Sequence, residues 1–158
     1  MIVVRNDAGG PTGTGPDGLW PAERLLLTAI RVWGRLRVEG LCPHETVRAG
    51  LELVASQRSA ALFIAFMDRY ERACLKPLEV HRPCCPGYSA DEQRLVLACG
   101  VGPVAGDVAR RLLRPLVGEA APLLAIGRSL NASLAADGLE LPVRLADEPV
   151  EREMRVLH

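Results

Sequence analysis

The sequence predicts an all-α fold, a compact bundle of about five to six helices in one domain. Three observations predict it. Apolar residues recur at helical spacing along most of the chain. The periodic stretches are separated by short breaks containing proline and glycine. No region is rich in strand-like alternation. The chain has 158 residues, of which 49% are apolar, enough for one real core.

The elements follow in order. Residues 1–19 read as a disordered arm, because Asp7-Ala-Gly-Gly-Pro-Thr-Gly-Thr-Gly-Pro-Asp-Gly18 suits neither helix nor strand. The helical domain is expected over 20–138. Helix 1 spans Pro21 to Val38, with Pro21 at a first helical position and Leu26, Ile30 and Trp33 on one face. Gly34 inside it weakens the helix or admits a close neighbour. Gly40-Leu-Cys-Pro-His44 breaks the chain, and a second helix runs from Pro43 to near Ser56. Helix 3, from Arg58 to Leu75, carries Phe63, Phe66, Met67, Tyr70, Ala73 and Cys74 at helical spacing, with Asp68, Arg69, Glu71 and Arg72 opposite.

Leu78-Glu-Val-His81 alternates like a short strand, and Leu139-Glu-Leu-Pro-Val-Arg-Leu145 is its candidate partner. Helix 4 spans Ala90 to Cys99 and should stop at Gly100-Val-Gly-Pro103. Helix 5 begins near Asp107 and ends at or before Pro115. Helix 6 runs from Ala121 to Ala136 and ends at Asp137-Gly138. Residues 139–158 read as an extended C-terminal arm.

Composition narrows the function. Formal net charge is zero and aromatics make up 4% of the chain. Neither suits nucleic-acid binding, which asks for a basic surface and stacking rings. The longest apolar run, Leu95 to Gly106, is too short to span a membrane. The start, Met1-Ile-Val-Val-Arg-Asn6, does not read as a secretory leader. A cytoplasmic location is therefore expected, where thiols stay reduced.

Five cysteines are present, and an odd number fits poorly with a fully paired disulfide framework. The vicinal pair Cys84-Cys85 stands between Pro83 and Pro86, just ahead of Ser89-Ala-Asp-Glu92, which has the form of a capping box. Two prolines fix two φ angles and remove two donors, and Gly87 permits a turn. Two thiols are thus presented ahead of a helix N-terminus. Such thiols can react or bind zinc or another thiophilic metal. They can also simply fill a tight turn. Cys74 and Cys99 lie on apolar faces, where cysteine is commonly a small hydrophobe. If the helix ends converge, Cys74, Cys84 or Cys85, and Cys99 would form a three-thiol cluster with His81 as a fourth ligand. The paired spacing of common zinc modules is missing.

The remaining signals carry less. Cys42-Pro43 and Cys85-Pro86 are Cys-Pro dipeptides of the kind found in some haem-sensing segments. His44 and His81 have no nucleophile motif beside them, and no phosphate-binding glycine loop occurs. Asp91 and Glu92 suit the helix dipole rather than catalysis. No catalytic motif speaks for an enzyme.

Arg24-Leu-Leu-Leu-Thr-Ala-Ile-Arg31, Phe63-Ile-Ala-Phe-Met-Asp68 and above all Pro83-Cys-Cys-Pro-Gly-Tyr-Ser-Ala-Asp-Glu92 resemble a family of small helical bacterial proteins of unknown function, over about residues 20–136. The resemblance implies one helical domain and a central cysteine turn. It implies no substrate. Two functional expectations result. The first is an interaction or scaffold module, a homodimer or the partner of another protein, motivated by the wide apolar stripes of helices 1, 3 and 6. The second is a metal-binding or thiol-redox-responsive protein that uses Cys84 and Cys85.

Overall fold

The computed structural model describes residues 2–5 and 18–145. Six helices and one pair of strands follow in the order β1 (Ile2–Arg5), α1 (Pro21–Val38), α2 (His44–Glu52), α3 (Gln57–Ala73), β2 (Leu78–His81), α4 (Ala90–Val101), α5 (Gly106–Leu113) and α6 (Ala120–Ala136). The fold is the mostly helical bundle that the periodicity predicts. No helix among the described residues is long and apolar enough to cross a membrane.

The apolar stripes make one core. Leu26, Ile30 and Trp33 of α1, Phe63, Phe66, Met67 and Tyr70 of α3, and Leu123 and Leu130 of α6 are all buried in it. Helix α3 packs along both α2 and α6, and α4 packs on α5. At Gly127 of α6 a Cβ would stand 3.4 Å from Phe66 Cε2 and 3.7 Å from Cys99 Sγ, so this glycine sets how closely α6 approaches its neighbours.

The strand partner differs from expectation. β2 pairs in parallel with β1, Ile2 opposite Leu78 and Arg5 opposite His81, and not with Leu139–Leu145. The first residues are thus a strand where the composition of 1–19 suggested an arm. Ile2-Val-Val is short but β-branched, and it gains a place because α1 leaves room for it. A Cβ at Gly34 would lie 2.7 Å from Val80 Cγ2 and 3.0 Å from Ile2 Cγ2. The glycine therefore lets the strand pair lie directly on the helix. The proline- and glycine-rich remainder of the expected arm, 6–17, lies outside the described residues, as does 146–158 of the expected C-terminal arm.

Helix ends also differ, α3 stopping at Ala73 rather than Leu75. α2 stops at Glu52, because Ser56 is already the N-cap of α3, its side chain accepting from the Ser59 amide. α4 continues through Gly100 to Val101. A Cβ at Gly100 would meet the Pro142 carbonyl oxygen at 2.6 Å, so this glycine serves a close crossing rather than a stop. Residues 139–145 run back over the helices. Leu139 and Leu141 pack on the core. Arg144 closes on the buried Glu23 at the start of α1, its Nε donating to Oε1 at 2.8 Å and its Nη2 to Oε2 at 2.9 Å.

Candidate functional site

The cysteine turn is built from three elements: β2 before it, α4 after it and α1 beneath it. The Cys85 amide donates to the Arg82 carbonyl at 2.9 Å, closing a turn over Pro83 and Cys84. Ser89 and Glu92 form the capping box of α4 that the sequence predicts, with the Glu92 amide donating to Ser89 Oγ at 3.0 Å and the Ser89 amide donating to Glu92 Oε2 at 2.8 Å. The Ser89 hydroxyl donates in turn to the Glu79 carbonyl of β2.

Beneath the turn lies an arrangement that the sequence did not reveal. Arg31 of α1 and Glu92 are 4% and 0% exposed and form a bidentate pair, with Nε–Oε1 at 2.8 Å and Nη2–Oε2 at 3.1 Å. Arg31 also donates from Nη1 to the Cys85 carbonyl at 2.8 Å and from Nη2 to the Gly87 carbonyl. Glu92 accepts the His81 amide as well, at 2.9 Å. A buried ion pair is tolerated only when its remaining donors and lone pairs are satisfied. Here the turn's own backbone does that. Asp91 plays a similar part for β2, accepting from Lys76 Nζ at 2.9 Å and from the Glu79 amide at 3.1 Å. Both carboxylates were legible as first-turn acids. Their partners, on distant elements, were not.

The two thiols of the turn face differently. Cys84 is exposed and lines a cleft of about 480 Å³ with Arg35, Val38, Glu39, Arg82 and Pro83. Cys85 is half-buried, its Sγ 3.2 Å from His81 Nδ1. Cys74, half-buried at the end of α3, gives its thiol proton to the Glu71 carbonyl at 3.3 Å, and its backbone bridges to Val117. Cys99 is buried in α4, where loss of solvent pushes its thiol up to about 12. Of the five candidate ligands, then, the structure brings Cys85 and His81 together. No three His, Cys, Asp or Glu residues among the described residues gather where they could hold a metal ion.

A second cysteine–histidine pair lies elsewhere. Cys42 is exposed in the break between α1 and α2, and its Sγ lies 3.0 Å from His44 Nδ1. The other ring nitrogen, Nε2, lies 2.8 Å from Asp68 Oδ1 on α3. Trp33, fully buried, meets the His44 ring edge-on at 5.1 Å between centroids. The hydrogen bond from His44 pulls the Cys42 thiol below its ordinary range, helped by the His44 backbone amide and weakly by the Arg37 charge. Contact with Cys42, then with Asp68, raises His44. The signal in the sequence was the Cys-x-His spacing after a helix break. Asp68 looked like one more charge on a solvated face. No protein-family model, curated protein or solved structure matches this chain, so these sites stand on their own chemistry.

Proposed function

We propose that this chain is a thiol-redox-responsive protein whose responsive element is the Cys84–Cys85 turn. The observation that carries the reading is the Arg31–Glu92 pair. Removing two charges from water costs several kcal/mol for each ion, on the order of 20 in the limiting case. In this fold their remaining hydrogen bonds hold one short loop in one shape. A loop held this way presents its thiols in a fixed geometry, as a working site requires.

Cys84 then meets solvent at the rim of a cleft bearing Arg35 and Arg82. Oxidation by hydrogen peroxide converts thiol and peroxide to sulfenic acid and water. It puts a polar, ionisable oxygen in the cleft that Arg35, Glu39 and Arg82 also line, where Arg35 is paired with Glu39 at 2.9 Å. The zinc reading keeps two facing donors, Cys85 and His81, where a structural site takes four. The interaction reading drew on the stripes of α1, α3 and α6; those residues lie in the chain's own core, so the turn is the better supported starting point.

The test is sulfenic-acid trapping with dimedone during mild peroxide treatment, resolved by fragment-ion mass spectrometry. Adducts at Cys84 or Cys85 are expected well before any at Cys74 and Cys99. A turn that stays unlabelled while Cys99 reacts would reduce it to architecture. Elemental analysis of the same preparation reads the metal alternative, and near-stoichiometric zinc would displace the redox reading.

A further inference from the structure

We infer that Cys42, His44 and Asp68 form a separate nucleophilic centre, in which Cys42 exchanges with disulfides of small thiols. The three side chains come from a loop, the start of α2 and the middle of α3, and they align as thiol, imidazole and carboxylate at 3.0 and 2.8 Å. Packing explains Cys74 and Cys99, which lie in or against the core, but it does not explain Cys42, which is exposed. The His44 ring is fixed on both sides: Asp68 holds Nε2, and the buried face of Trp33 meets the ring edge-on. Trp33 is itself tied, its Nε1 donating to Glu71 Oε1 at 2.9 Å. Imidazole is thus positioned rather than merely nearby.

The charges around the thiol favour its ionised form. His44 at the start of α2 and Arg37 on α1 act directly on Cys42, while Asp68 on α3 supports the imidazolium. The thiol also lies just ahead of the first turn of α2, on the positive end of that helix. Arg37 is itself neutralised by Glu71, with Nη2–Oε2 at 2.8 Å, so its influence is weak.

Disulfide exchange needs a thiolate, an open line of approach and a proton for the departing thiolate. This site supplies all three. Cys42 thiolate attacks one sulfur of a disulfide R–S–S–R. The new bond is Cys42–S–S–R, the old S–S bond breaks, and the released R–S⁻ takes the proton from His44 imidazolium. A second free thiol then attacks the mixed disulfide, its proton returning to the pair, and the products are Cys42 and a new disulfide. No other oxidant or reductant enters.

The experiment uses the full chain, oxidised glutathione as the probe and site-resolved mass spectrometry. Iodoacetamide alkylation is followed in parallel from about pH 4 to about pH 10. Cys42 should alkylate with an inflection below the ordinary thiol range and should form the glutathione adduct first. Asp68→Asn and His44→Gln should move the inflection upward and slow adduct formation at neutral pH by about tenfold, with Cys84 alkylation unchanged as the control for folding. An ordinary thiol inflection for Cys42, or variants that leave Cys42 unchanged, would overturn the inference. Fast alkylation of Cys42 without a glutathione adduct would overturn the disulfide assignment. The inference is independent of the Cys84–Cys85 turn, because either thiol can respond while the other does not.

Discussion

Arg31 and Glu92 are 61 residues apart in sequence and meet through two hydrogen bonds beneath the cysteine turn, out of reach of water. The contact joins α1 to α4 and, through the Cys85 and Gly87 carbonyls, both to the loop between β2 and α4.

Removing one partner should therefore be severe. Arg31→Met leaves Glu92 buried without its counter-charge and frees two turn carbonyls. A loss of about 3–5 kcal/mol is expected in urea unfolding, with faster amide exchange confined first to residues 81–92. A loss below about 1 kcal/mol would show that the pair contributes as a surface ion pair does and that the turn holds itself.

Gly34 supports the strand pair at very close range. Gly34→Ala should lower stability by about 1–3 kcal/mol, since its methyl would enter the space of Val80 Cγ2. The double variant Gly34→Ala/Val80→Ala should recover part of that loss. Additive effects in a double-mutant cycle would mean that the two sites do not touch.

The Tyr70 hydroxyl is buried without a protein partner among the described residues, and burial raises its pKa. Losing an unsatisfied hydroxyl relieves a desolvation cost of about 1–3 kcal/mol. Tyr70→Phe should accordingly raise the urea midpoint. A lower midpoint would reveal a bridging water at the hydroxyl.

Asp137 caps the far end of the bundle, its Oδ2 accepting from Ser59 Oγ at 2.6 Å, from Ser56 Oγ at 2.9 Å and from the Ser56 amide at 3.0 Å. These bonds, Ser59 first, hold its carboxyl below the ordinary value. A depressed folded value means that the contribution is fully present above the unfolded carboxylate pKa and disappears as pH falls through the folded one. The stability gap between the natural chain and Asp137→Asn should hold near neutrality and shrink towards about pH 2. A gap independent of pH would assign the effect to shape rather than charge.

How far the sequence could be read depends on the range of each interaction. Helix α1 was legible to its last residue because a proline opens it and an unbroken stripe runs through it. The capping box at Ser89 and Glu92 was legible because its parts lie three residues apart. β1 was missed, since four residues carry little pattern and the space above Gly34 exists only once α1 and β2 are folded. The Cys84–Cys85 turn was conspicuous as composition, but Arg31 beneath it looked like any arginine on a helix. Asp68 was hidden in the same way. Its charge belonged to a plausible solvent face until α2 brought His44 beside it. Local chemistry was readable, and partners supplied by another element were not.

The pairing of Arg144 with Glu23 bears on how the molecule is made. A ribosome delivers α1 early, with Glu23 still hydrated, and delivers the guanidinium that accompanies its burial 121 residues later. The Pro142 carbonyl reaches Gly100 in the same late stretch. A nascent chain that has emerged only through α6 has every helix but lacks both contacts. Its first helix, however, stays open at the N-terminal end until the last described residues cross over it. Stalled chains of that length are the species in which proteases and chaperones would find this protein incomplete.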